Sequence, residues 1–164
     1  MGNPMAENRT PAPSAHAGVW VPSPLIYVAI FGVGLLLQQF VPLAALPALP
    51  MQVAAAVFLV GGVLLLVWSN VLFRREHTSL VPVRPTAALV RLGPYRWTRN
   101  PMYLGLLCVY IGLACWFGVT WALILVPLVV PAVHVLAIAK EERYLEQRFG
   151  EPYRQYRAQV RRWI

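Results

Sequence analysis

The sequence predicts an all-α, polytopic membrane protein of about four transmembrane helices. The third and fourth spans form a helical hairpin, and a C-terminal helix lies in the cytoplasm or at the membrane interface. Three observations carry this. Hydrophobic residues make up 59% of the 164-residue chain and charged residues only 12%, outside the usual range of soluble domains. Four apolar runs approach the roughly 20 residues needed to cross a hydrocarbon core. Apart from Arg9, the basic residues behind the net charge of +8 fall in two blocks, Arg74 to Arg99 and Lys140 to Arg162, each beside an apolar run. That distribution is a topology signal and argues against a nucleic-acid-binding surface.

Residues 1–23 hold several prolines and little apolar content, without the basic-then-apolar layout of a signal peptide. They read as a short disordered cytoplasmic arm before a single domain over 24–164. The first two spans are expected at about 25–43 and 53–73, joined by the uncharged segment VPLAALPALPM. The third, about 102–117, and the fourth, about 120–139, are separated by a tight turn at Gly118. The segment between spans two and three carries six arginines and one glutamate, and the tail beyond span four carries seven basic residues and four glutamates. Since Lys and Arg stay on the cytoplasmic side, four spans with both termini inside satisfy every loop at once.

Pro127 and Pro131 each remove a backbone donor from span four and predict a bend in its cytoplasmic half. The helix is expected to run on as KEERYLEQRF, stop at Gly150 and restart at Glu151-Pro152. Tyr153, Tyr156, Val160 and Trp163 then recur at helical spacing beside Arg154, Arg157 and Arg161, a pattern suited to a helix lying on the membrane surface. Cys108 and Cys115 are seven apart in one apolar run, share a helix face and cannot bridge each other.

No span contains an acidic residue, no His/Cys/carboxylate cluster has metal-ligand spacing, and no Gly-rich phosphate loop is present. A small multidrug-type transporter would want a membrane-embedded glutamate, and this sequence offers none. Two cytoplasmic segments remain. In GPYRWTRNPMYLG (93–105), Asn100 followed by Pro101 reads as an N-cap and first helical residue, leaving backbone N–H groups beside Arg96 and Arg99 as a place for an anion such as a carboxylate. Tyr95, Trp97 and Tyr103 add aromatic faces for a heterocycle or a cation. Taken singly, each has a plainer reading as topology signal, interfacial belt or cap.

In EERYLEQRFGEPYRQY (141–156), Glu141 and Glu142 point about 100° apart on a helix and so meet different partners. Glu141 is expected to face the lipid surface and answer a neighbouring arginine. Glu142 is the stronger candidate to accept hydrogen bonds from a ligand diol or amine.

The two segments together resemble the isoprenylcysteine carboxyl methyltransferase and phospholipid methyltransferase superfamily of integral-membrane enzymes. The family pattern, R-H/N-P-x-Y followed by E-E-x-x-L-x-x-x-F-G-x-x-Y-x-x-Y, is met by Arg99, Asn100, Pro101 and Tyr103, then Glu141, Glu142, Leu145, Phe149, Gly150, Tyr153 and Tyr156. The match continues upstream through HTSLVPVRPTAALVRLGPY and covers roughly residues 60–164. The resemblance implies an S-adenosylmethionine cofactor in a cytoplasmic pocket, contacted by Tyr95, by Arg99, Asn100, Pro101, Met102, Tyr103 and Leu104, and by Glu141 and Glu142. It implies a lipophilic or small acceptor, such as a prenylcysteine carboxylate, a phospholipid amine or a thiol, with Arg96, His134 and Tyr153 as candidates to meet it.

The chemistry of the residues suits that cofactor: a carboxylate for the helix N-terminus, a sulfonium for aromatic faces, a ribose diol for a glutamate. Methyl transfer is an in-line displacement that needs the acceptor held against the methyl carbon with water excluded, and no obvious catalytic base is present.

Two departures stand out. Asn100 occupies a position that is His in many members, and Ala137 one that is Arg, leaving His134 and Lys140 as the nearest basic groups along the helix. These departures motivate an alternative, a non-catalytic four-helix scaffold that keeps the family fold. Thirteen of the fourteen basic residues are arginine, which with abundant Ala and Pro points to a GC-rich bacterial source and a bacterial cytoplasmic membrane.

Overall fold

The computed structural model describes residues 22–44, 47–75 and 89–163. The expected N-terminal arm over 1–21 and the upstream part of the resemblance over 77–88 lie outside the described residues. Every element among the described residues is helical, apart from one isolated backbone bridge between Thr98 and Arg161.

The first helix, α1 (Ser23–Phe40), follows Pro22 in extended conformation and carries Pro24 in its first turn, where a missing N–H costs nothing. It buries Ile26, Tyr27 and Gly34 and exposes Leu25, Val28 and Leu36. The second, α2 (Ala48–Arg75), has 28 residues and ends on Arg74 and Arg75. At 1.5 Å per residue it spans about 42 Å, more than the ~30 Å hydrocarbon core, so its basic end can stand clear of lipid. Both α1 and α2 are long and apolar enough to cross a membrane; α3 (Pro101–Phe117) is apolar but shorter.

Small residues set the α2–α3 packing. Ala55, Gly62 and Ser69 are buried at seven-residue intervals on α2, and Gly105 and Gly112 are buried at the same interval on α3. A Cβ on Gly62 would stand 2.8 Å from the Gly105 carbonyl oxygen, and one on Gly112 would stand 2.9 Å from the Leu59 backbone nitrogen. The two backbones therefore touch in antiparallel register, the contact that small residues permit between helices in lipid. The remaining faces of α2 present Val53, Val57, Val60, Leu64 and Val67 outward.

The Gly118 turn is as the sequence predicts. Gly118 adopts φ +64°, its N–H reaches the Cys115 carbonyl, and the Val119 N–H reaches the Ala114 carbonyl at 2.9 Å, a Schellman closure.

The segment expected to be the fourth span departs from the single bent helix predicted. It is built of α4 (Thr120–Ile124), α5 (Val126–Val133), a π-helical turn (His134–Ile138) and α6 (Ala139–Phe149). Pro127 has no N–H for the carbonyl four residues back, and the chain turns at Leu125, where the Leu128 N–H returns to the Leu125 carbonyl at 2.9 Å. Past Pro131 the helix widens, and the Ala139 N–H reaches back five residues to His134. The apolar core sits where α1 meets these segments and α3: Ile26, Tyr27, Tyr110, Ala122, Val133 and Ile138 are central to it. Gly34 lets α1 approach α4, since a Cβ there would lie 3.0 Å from the Ala122 backbone.

Gly150 ends α6 with φ +56°, and α7 (Glu151–Gln159) comes next, as expected. The aromatic stripe read from the tail is not carried by one continuous helix. Tyr153 and Tyr156 are buried within the protein, α7 ends at Gln159, and Val160 is extended. Residues 160–163 run back across the segment before α3 as a strap, with Trp163 packed against the apolar core.

Candidate functional site

The segment entering α3 is held in shape by its own residues. Gly93 adopts φ +58° against Leu72 and Trp68 of α2, starting a 3₁₀ turn (Gly93–Arg96) that buries Pro94 and Tyr95. Tyr95 packs edge-on against Phe73, and its carbonyl accepts a 2.8 Å bond from the Tyr156 hydroxyl. The Arg91 guanidinium lies 5.8 Å above the Tyr156 ring and donates to the Pro152 carbonyl, so α7 is fastened to this segment at two points.

The strap completes the fastening. The Arg99 N–H donates to the Arg161 carbonyl at 2.9 Å, while the Thr98 hydroxyl and the Asn100 side-chain amide both donate to the Arg162 carbonyl at 3.0 Å. Asn100 stands at the N-cap position but its side chain makes no capping bond; the amide is engaged by the strap instead. The capping role expected from Asn-Pro is therefore corrected. The backbone N–H groups of Met102 and Tyr103 in the first turn of α3 are left without a side-chain cap.

The paired glutamates diverge as helical geometry requires. Glu142 is buried and receives both cations: Arg162 Nε and Nη2 donate to Oε1 and Oε2 at 3.1 and 2.9 Å, and Arg99 Nη1 stands 3.2 Å from Oε1. The carboxylate bond holds Arg162 further toward its charged form. Glu141 does the opposite of what the sequence suggested. Its carboxylate turns inward and accepts a 2.8 Å bond from the Tyr103 hydroxyl, with no ion pair to it among the described residues. Burial raises the Glu141 carboxyl above the usual carboxylate range and the Glu142 charge adds to this, while the Tyr103 hydroxyl pulls the other way. Tyr103 is itself fixed from below, since the Tyr27 hydroxyl of α1 donates to its carbonyl at 2.8 Å.

Arg99, Asn100, Pro101, Tyr103, Glu141, Glu142 and Tyr153 thus converge on one place. Tyr153 is 1% exposed, with Arg99 beside its hydroxyl; burial and the Glu142 charge push that hydroxyl up to about 12. Met102 and Leu104 lie half-buried in the first turn of α3, and Arg96 is exposed at the end of the 3₁₀ turn. His134 begins the π turn with a buried Nδ1 that has no hydrogen-bond partner. Ala137 is fully enclosed in the apolar core, and the cations that answer Glu142 come from Arg99 and Arg162, not from His134 or Lys140.

Arg162 and Thr98 were not singled out by sequence pattern, and Tyr156, though part of the family pattern, was given no role in the site. The signal that could have found them is Gly150: a glycine between two amphipathic helices reverses the chain and returns the C-terminal residues toward Glu142.

Arg99 also bears on what the site can hold. It is 9% exposed; its Nη1 stands 3.2 Å from Glu142 Oε1, while its Nε forms no hydrogen bond among the described residues. A buried guanidinium with an unused Nε donor, next to uncapped N–H groups at a helix N-terminus, fits a carboxylate. The aromatic and carboxylate groups around it fit the remainder of an aminoacyl nucleoside.

An uncharacterized protein of Haemophilus influenzae is 40% identical over 63 residues, which are 38% of this chain and the whole of that protein. No solved structure matches. The family of phospholipid methyltransferases matches residues 50–152, a stretch that includes most of α2, all of α3, the first motif segment and the second as far as Pro152, and stops short of Tyr153, Tyr156 and the strap. The chain belongs to the phospholipid methyltransferase family.

Proposed function

We propose that this protein is an integral-membrane, S-adenosylmethionine-dependent methyltransferase acting on a lipophilic acceptor, with a phospholipid amine as the acceptor the family favours. The observation that carries the reading is the convergence of Arg99, Tyr103, Glu141 and Glu142, from segments some forty residues apart, at the uncapped start of α3. When bound, the cofactor supplies an electrophilic methyl group on a sulfonium.

Arg99 and the first-turn N–H groups of α3 hold its carboxylate; Tyr95 and Tyr153 offer aromatic faces; Glu141 or Glu142 accepts from its ribose. Arg96 and His134 stand toward the acceptor, which enters from the bilayer beside the broken fourth span. The protein itself orients donor and acceptor and excludes water. In this reading the chain has four spans with both termini in the cytoplasm and the site at the cytoplasmic face of a bacterial inner membrane, which keeps the basic segments inside.

One observation favours a second reading. Arg99 and Arg162 already answer both oxygens of Glu142, as they would in a scaffold whose motif survives as architecture. Supplying the purified protein with S-adenosylmethionine labelled in the methyl group, in mixed micelles of bacterial lipid, separates the two. Label in the organic extract that is lost in Arg99→Lys supports the enzyme. Folded protein that transfers none supports the scaffold.

A further inference from the structure

Asn100 is turned away from the backbone groups it is placed to cap. At the N-cap position an asparagine ordinarily aims its side-chain oxygen at the N–H groups two and three residues on, here those of Met102 and Tyr103. In this fold the Asn100 amide donates to the Arg162 carbonyl at 3.0 Å and no capping bond forms. Its backbone N–H is engaged as well: it donates to the Thr98 hydroxyl at 3.2 Å, and that hydroxyl donates to the same Arg162 carbonyl. With φ −128° and ψ 50°, the Asn100 backbone is outside the extended conformation of a capping residue.

The carbonyl that diverts Asn100 is anchored on both sides. The Arg161 carbonyl before it accepts the Arg99 N–H at 2.9 Å, the Arg162 guanidinium is paired with both oxygens of Glu142, and Trp163 packs against the apolar core. The strap thus ties segment 98–100, which leads into α3, to α6 and to the core. It lies beyond residues 50–152, the stretch that matches the family. A second feature of the same place points to an anion: the Arg99 side chain is 9% exposed, and its Nε forms no hydrogen bond among the described residues.

Resting on the function proposed above, we infer that the strap is a positioning element for the carboxylate of the methyl donor, and that Arg162 acts on it through Asn100. While the Arg162 carbonyl holds the Asn100 amide, the N–H groups of Met102 and Tyr103 are kept for the carboxylate. When the strap lets go, Asn100 turns back to cap α3, and its side-chain oxygen competes with the carboxylate for the same donors. A cap of ordinary strength corresponds to a factor of about five in an equilibrium constant. Thr98 serves the same end, since its hydroxyl bridges the Asn100 N–H and the Arg162 carbonyl.

The experiment uses the whole chain in detergent, with the strap loosened by Arg162→Gln combined with Trp163→Ala. Arg162→Gln alone, which keeps the Trp163 anchor, carries the test where the double variant does not fold. Hydrogen exchange of the Met102 and Tyr103 amides is followed by nuclear magnetic resonance in the nucleoside-free protein, and S-adenosylhomocysteine affinity by calorimetry. Both are repeated with Asn100→Ala added. Loosening the strap should slow exchange at one or both amides, and weaken the nucleoside, by about fivefold. Adding Asn100→Ala to the loosened strap should restore fast exchange and recover most of the lost affinity.

Exchange that speeds up when the strap is loosened would make the strap a brace for the fold and overturn the inference. So would unchanged affinity on loosening. A loosened protein that binds no more tightly once Asn100→Ala is added would also overturn it, because Asn100 would then not be the carboxylate's competitor. A native protein that binds no S-adenosylhomocysteine would overturn the proposed function, and the carboxylate with it. The exchange readout is taken without nucleoside and tests the strap's hold on Asn100 separately.

Discussion

Arg162 and Glu142, twenty residues apart, form a two-point ion pair with N–O distances of 3.1 and 2.9 Å that ties the end of the chain to the start of α6. Arg99 approaches the same carboxylate from the segment before α3. Three separate pieces of backbone therefore depend on one buried anion. Glu142→Gln removes the charge while nearly keeping the shape, leaving two cations facing each other across a buried amide. The loss expected is on the order of 3 kcal/mol, read as a fall in denaturation midpoint in detergent. Glu142→Gln combined with Arg162→Gln should recover part of it, since one uncompensated charge is then gone.

The Arg162 carbonyl is shared by two donors, the Thr98 hydroxyl and the Asn100 amide. Thr98→Val or Asn100→Ala alone should cost about 1 kcal/mol, because the other donor still satisfies the oxygen. The double variant should cost more than the sum, since the carbonyl is then left bare. Equal and additive losses in equilibrium unfolding would mean that the strap is not held through this oxygen.

The helix contact between α2 and α3 has an internal control. Gly61 has nothing within 4 Å of an added Cβ, whereas on Gly62 that atom meets the Gly105 carbonyl at 2.8 Å and the Val109 nitrogen at 2.9 Å. Gly61→Ala should be neutral or slightly stabilising. Gly62→Ala should cost about 2 kcal/mol, because backbone rather than a flexible side chain must move. Thermal unfolding of the two variants side by side checks the register.

Glu141 makes stability depend on pH in a direction opposite to an ordinary paired carboxylate. Its proton is held more tightly in the folded than in the unfolded protein. The folded state is therefore favoured below the unfolded carboxylate value, and loses that advantage as pH rises from there through the folded value. Glu141→Gln removes this dependence, so the variant should match the native melting temperature near pH 4.5 and exceed it at pH 8. A melting temperature below native at pH 8 would show that the Glu141 charge is stabilised in the fold.

Much of this architecture was legible in the sequence. The apolar runs, Gly118 and Gly150 mark their elements because each reports a local requirement: length in lipid, or a backbone conformation that favours glycine. Pro127 and Pro131 announced a disturbed fourth span, but not that it would break at Leu125 and widen at His134, since proline fixes only which bond is missing. The two motif segments are readable in the sequence, and the side-chain partners they meet in the fold are not. That Glu142 meets Arg162, that Asn100 serves the strap instead of capping α3, and that Glu141 turns inward to Tyr103 all depend on how α7 folds back at Gly150. The aromatic stripe of α7 reads equally well for a membrane surface or a protein interior, and here the interior claims Tyr153 and Tyr156.

The most direct test of the account is calorimetric titration of the folded, detergent-solubilised protein with S-adenosylhomocysteine, native against Arg99→Lys. The account predicts saturable one-site binding by the native chain, weakened at least tenfold when lysine keeps the charge beside Glu142 but removes the unused guanidinium Nε donor. Folded native protein that takes up no nucleoside, or Arg99→Lys that binds as tightly as native, would contradict it.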